Sequence, residues 1–153
     1  MDIKVFIQFK TTECDMKNYF TIKELTYSST AKQYGIDNTP SKEIEDHLNE
    51  MIVNLLNPLR EAWGSPIIVT SGYRCNELNI MVGGVKTSAH KTGYAVDIKP
   101  KKGTVKQLLE FTKNWLTNKD IKFDQCIDEY GNWVHLGYKN SKGEQRCQYI
   151  SYR

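Results

Sequence analysis

Residues 88–98 read SAHKTGYAVDI. A histidine in a polar turn, a break at Gly93 and a β-rich run containing Asp97 make this stretch a loop that enters a strand. The segments on either side must be arranged around that strand. Upstream, PIIVTSGYR (66–74) is short and β-branched, which predicts a buried strand ending in a turn at Gly72. Between the two, NIMVGGVKTSAHKTG (79–93) is rich in glycine and polar residues and reads as a loop. Downstream, Thr104 with Gln107 forms a capping box. Val105, Leu108, Leu109, Thr112, Trp115 and Leu116 then keep the helical period to about Asn118. KFDQCIDEY, WVHLGYK and QRCQYISYR follow as strands, separated by turns at Gly131 and at Lys142 and Gly143.

Towards the amino terminus the pattern becomes helical. Thr21 with Glu24 forms a capping box for a short helix that stops at Gly35. Thr39 as N-cap, with Pro40 at the first helical position, opens a long helix. Its apolar stripe is Ile44, Leu48, Met51, Ile52, Leu55, Leu56 and Leu59, and Pro58 should kink or tighten its last turns. Helices early, strands late and one helix between strands predict an α+β domain whose mostly antiparallel sheet packs against helices. The expected organisation is a single domain over 1–153, with residues 1–19 as a looser arm that forms an edge strand or stays mobile.

Composition narrows the function. Hydrophobic residues at 39% and charged residues at 25% are globular values. No apolar run is long enough for a membrane span. The net charge of +3 is too small to argue for nucleic acid. MDIKVFIQFK lacks the apolar core and cleavage site of a secretory signal, so the expectation is synthesis in the cytoplasm without an export address. The expected state is a monomer. Cys14, Cys75, Cys126 and Cys147 include no C-x-x-C pair, which argues for free buried thiols rather than a disulfide scaffold or a cysteine-based zinc site.

Period-two alternation sends Ala95 and Asp97 to one face of their strand, and Trp133, His135 and Gly137 to one face of theirs, away from Val134, Leu136 and Tyr138. If the two strands are neighbours, Asp97 and His135 converge and His90 folds back over them. Two imidazoles and a carboxylate form a ligand set for catalytic zinc. Spacing alone leaves His90 and Asp97 readable as a polar turn. His47, beside the apolar stripe, reads as a surface or satisfied core histidine.

The wider string carries more. SAHKTGYAVDI matches S-x-H-x-x-G-x-A-x-D. With WVH (133–135) downstream and SGYR (71–74) upstream, the chain resembles the zinc D-alanyl-D-alanine carboxypeptidases of the peptidase M15 family. It is most similar to their small branch common in phages and prophage regions. The resemblance runs from Phe20 to Tyr138 and implies a fold shared with Hedgehog signalling domains. It also implies zinc held by His90, Asp97 and His135, peptidoglycan stem peptides as substrate, and carboxypeptidase or endopeptidase activity of a lysin-like enzyme acting on the cell wall. A carboxylate must take and return a proton. Family members often place it three residues before the last histidine, where this chain has Asn132. In the branch it resembles, the matching glutamate is Glu129, with Asp128 as the substitute; alternation within this strand does not choose between them. The resemblance assigns substrate binding to Arg74, whose guanidinium suits a carboxylate. It places Ser88 and Gln125 near the substrate or behind the ligands. The same fold also serves as a non-catalytic binding module, and Asn132 keeps that alternative open.

Overall fold

The computed structural model describes residues 17–153. The expected strand or arm at the amino terminus, and Cys14, lie outside these residues. At the end of the expected arm the Tyr19 N–H donates to Asn57 Oδ1 (3.0 Å), and Phe20 is buried in the core.

The described residues open with two short helices, α1 (Ile22–Thr26) and α2 (Ser29–Tyr34), where a single one was expected. Thr21 Oγ1 accepts from the Glu24 N–H, so the predicted cap forms. The chain then turns at Tyr27, and Ser28 caps a second helix that ends at Gly35 in the left-handed conformation.

The long helix begins at α3 (Lys42–Met51), two residues later than predicted. The Thr39 N–H is taken by Asp37 Oδ1 in a local turn, which leaves Ser41, followed by Glu43 and Glu45, as the N-cap. Pro58 does disturb the helix, but by widening rather than tightening it. Residues Ile52–Leu56 form a π-turn, in which the Asn57 N–H reaches back to Ile52 O, before the helix resumes as α4 (Asn57–Trp63). Proline has no N–H to donate and its ring crowds the preceding turn, so the wider turn absorbs the clash. The apolar stripe survives, because Leu48, Met51, Ile52, Leu55, Leu56 and Leu59 are all buried.

The described residues hold five strands, β1 (Ile67–Ser71), β2 (Ala95–Pro100), β3 (Gln125–Glu129), β4 (Trp133–Gly137) and β5 (Gln148–Tyr152), in the order β1-β2-β4-β3-β5. All pairs are antiparallel except β5 with β3, which is parallel. This is the mixed fold with a mostly antiparallel sheet that the pattern predicts. Val96, Ile98, Val134, Leu136 and Cys126 face the long helix and α6 (Val105–Asn118) in one core. The opposite face carries Asp97 and His135. The predicted Thr104–Gln107 capping box is present in both directions.

Three expectations are corrected. β1 is an edge strand with Ile68 exposed, not a buried one: its β-branched run hides a two-residue alternation. The stretch read as a loop contains the end of a short helix, α5 (Asn76–Met81), and a 3-10 turn at Ala89–Thr92. α5 is capped by Cys75 Sγ, an unusual N-cap. Among the described cysteines all are free, but only Cys126 is buried, where burial pushes its thiol up to about 12. Cys147 is exposed and Cys75 half-buried.

Gly72 ends β1 against the backbone of α1, with the Tyr73 N–H bonded to Leu25 O at 2.7 Å. A Cβ at Gly72 would lie 2.1 Å from that same oxygen, so only glycine fits. Gly72→Ala should cost about 1–3 kcal/mol of stability through overpacking. It should also weaken zinc binding about 10–100-fold, because the Gly72 carbonyl orients a ligand (below). Thermal melts with zinc titration check both, and an unchanged zinc affinity would remove that link.

Candidate metal centre

β2 and β4 pair with Asp97 directly opposite His135. Side chains of directly opposed residues share a face, so the two groups meet. His90 arrives from the 3-10 turn. Ser88 Oγ caps that turn by accepting from the His90 N–H (3.3 Å), and Gly93 closes it at φ 82°. Gly93 also lies against Ile44 and Leu48 of α3, where a Cβ would crowd at 3.1 Å. His47 is not in the cluster. It donates from Nδ1 to Thr92 O (2.7 Å) and stacks on Tyr94 at 4.2 Å, bracing the turn from α3. Tyr94 in turn donates to Glu50 Oε2 (2.7 Å), and Lys139 Nζ pairs with Glu50 Oε1 (2.6 Å).

The donor set is compact. His90 Nε2 lies 3.3 Å from His135 Nδ1 and 3.3 Å from Asp97 Oδ1, and His135 Nδ1 lies 3.0 Å from Asp97 Oδ1. His90 Nδ1 is 2.7 Å from Gly72 O. A carbonyl only accepts, so Nδ1 carries the proton and Nε2 presents its lone pair to the cluster. Two imidazole nitrogens and a carboxylate oxygen at these separations repel unless a cation or proton lies among them. Tetrahedral zinc with bonds of about 2.0–2.1 Å needs donor atoms roughly 3.3 Å apart, which these residues supply. The chemistry and spacing fit the metal.

Burial pushes the Asp97 carboxyl up, but hydrogen bonding to His135 and His90 and their charges outweigh it and hold Asp97 below the usual carboxylate range. Burial pushes the His90 imidazole down, against the pull of Asp97, so it stays neutral and able to ligate.

The two candidate carboxylates part at β3. Gln125, Ile127 and Glu129 are opposite Gly137, His135 and Trp133, so Glu129 shares the face of the histidines. Glu129 lines the same cavity, of about 690 Å³, as His90, Asp97 and His135. Burial pushes its carboxyl up; His135 opposes this, and Asp97 and Asp128 reinforce it. Asp128 lies opposite Val134, on the other face. Its oxygens accept from the Gly131 N–H (2.8 Å) and from Ser151 Oγ (3.3 Å), as a turn carboxylate does.

Arg74 also lines the cavity, half-buried, and its Nε has no hydrogen-bond partner among the described residues. Burial pushes its guanidinium down while the Asp97 charge opposes. Gln125 is at the rim, bonded to Gln148 Oε1 (3.0 Å). The sequence reading missed Tyr130, Arg146 and Tyr152 as further lining residues. Arg146 is tied to the buried Asp124 by Nε (2.7 Å) and by its terminal nitrogen (2.9 Å). No local spacing announces a pair that joins the segments leading into β3 and β5.

The family model described as Peptidase M15 matches residues 18–137. No curated protein matches the chain.

Proposed function

Because the chain belongs to the peptidase M15 family, we propose that it is a zinc metallopeptidase hydrolysing peptide bonds in bacterial peptidoglycan stems, as a D-alanyl-D-alanine carboxypeptidase or an endopeptidase. The observation that carries this is the convergence of His90, Asp97 and His135, whose ligand atoms all lie within 4.8 Å of one another, beneath a cavity that also holds a carboxylate. When bound, zinc supplies a Lewis acid for the scissile carbonyl and lowers the pKa of water to about 7.

The rest is the work of the chain's own side chains. Glu129 is the base that takes a proton from the attacking water and returns it to the leaving amine. Its raised pKa suits both halves of that exchange. Arg74 holds a substrate carboxylate in a bidentate fork. Ser88 fixes the turn that carries His90, and Gln125 shapes the rim. Asp128 is a structural carboxylate in this reading. Asn132 removes the acid from its common place in the family, and Glu129 on the ligand face makes good that loss, which favours the enzyme over a non-catalytic zinc module.

No helix among the described residues is long and apolar enough to cross a membrane. The reading is of a lysin-like protein made in the cytoplasm that meets the wall after release. The test is zinc content measured beside new amino groups released from purified peptidoglycan. One zinc per chain with peptide products supports the enzyme, and mass spectrometry of those products tells terminal from internal cleavage. Tight wall binding with no product would favour the module.

A further inference from the structure

The cavity at the metal triad does not end there. A second cavity of about 520 Å³ continues from it towards the β1 edge of the sheet. The two share Arg74, Val82, Asp97 and Trp133. Asp97 therefore has open space on both sides, one towards Glu129 and Tyr152, the other towards Thr70 and Lys99. The second space is walled by hydroxyls from the start of α2 (Ser28, Ser29, Thr30) and from β1 (Thr70, Ser71).

Among the described residues its unpaired charges are cationic. Lys99 follows Asp97 by two residues on β2 and so falls on the same face. Neither Lys99 nor Arg74 takes part in an ion pair among the described residues. The acid in this space is Asp97, whose Oδ1 is already committed to the two histidines. Trp133 and Arg74, which line both cavities, each keep a buried nitrogen, Nε1 and Nε, without a hydrogen-bond partner among the described residues. An indole N–H can only donate, and a buried donor without an acceptor is unfavourable. A cationic, donor-lined space beside the reacting centre selects a carboxylate.

We propose that this space is a second arm of the substrate cleft, in which Lys99 holds a carboxylate of the peptide lying across the metal site. The assignment rests on the peptidase reading above. It makes Lys99 a specificity determinant rather than a catalytic residue. The carboxylate belongs either to an internal acidic residue of the stem or to the end of the peptide.

Equilibrium binding separates these cases without turnover. The zinc-loaded Glu129→Gln protein is titrated with the stem peptide L-Ala-γ-D-Glu-L-Lys-D-Ala, with the same peptide amidated at the glutamate α-carboxylate, and with the form amidated at its end. One amidation should weaken binding about tenfold, and the one that does so identifies the carboxylate. In a Lys99→Met background that same amidation should cost less than twofold, because the partner is already gone.

The proposal is overturned if amidation costs the same with and without Lys99, if neither amidation matters, or if no peptide binds at millimolar concentration. Wild-type protein assayed on the same peptides tests the other reading separately. Failure to cut any of them counts against the peptidase and leaves the binding comparison to stand by itself.

Discussion

His90→Ala should lose both bound zinc and all peptidoglycan cleavage. His90 supplies one of three protein donors and is 2% exposed, so its removal leaves only two protein ligands for the metal. Removing a residue that only orients a ligand costs about 10–100-fold in metal affinity, so losing the ligand should exceed 100-fold. Metal analysis should fall from one equivalent to a trace, while the sheet and helices stay intact by circular dichroism. Chelation of the wild-type protein should reproduce the loss, and added zinc should restore the wild type alone. Full activity in metal-free protein would end the metallopeptidase reading.

Glu129→Gln should separate binding of the metal from turnover. The substituted amide would keep the shape of the side chain and the cavity, so zinc should remain at one equivalent. Removing a general base costs about 10²–10⁴-fold in kcat. Asp128→Asn should stay within a few-fold of wild type, since Asp128 lies on the other face. The pH profile adds a second signature. The base must be ionised, so kcat/KM should climb as pH rises through the pKa of Glu129, which burial pushes up. That limb should vanish in the glutamine variant. The linkage sign follows: a carboxyl with a raised folded pKa adds stability below its unfolded pKa and loses it as pH rises through the folded pKa. The ionised form is therefore held at a cost near neutrality, and Glu129→Gln should melt no lower than wild type there. Unchanged turnover would transfer the proton work to another group.

Much of this site can be read from local rules. Alternation alone places Asp97 and His135 on one face each, and Val134 and Leu136 on the core side, because strand side chains switch sides at every residue whatever the partner. Gly93 and the Thr104 cap also follow from local chemistry. What local rules miss depends on distant partners. Nothing in QCIDE tells which side faces the metal until β3 is paired in register with β4. The helix start moved to Ser41 because Asp37 had already captured the Thr39 N–H. The cap of α5 is a cysteine, outside the usual set. Lys99 was accessible to the same period-two rule as Asp97, but its meaning comes only with a cavity that sequence does not display.

The parallel strand β5 sits outside the family match, exposed along most of its length, and among the described residues pairs with β3 alone. Its remaining ties are mostly exposed: Gln125 Nε2 to Gln148 Oε1, Ser151 to Asp128, the Tyr149 hydroxyl with Thr117 Oγ1 and Lys113 O of α6, the Tyr130 N–H to Tyr152 O at 3.2 Å, and the Arg146–Asp124 pair. Folded chains open in units of unequal stability, and a strand paired on one side with few buried contacts belongs to the least stable of them. Peeling β5 away would turn β3, with Glu129, into a free edge while β2 and β4 still clasp the three ligands at the centre of the sheet. On warming, the protein should therefore pass through a state that retains its metal but has lost its catalytic geometry, so that inactivation runs ahead of melting.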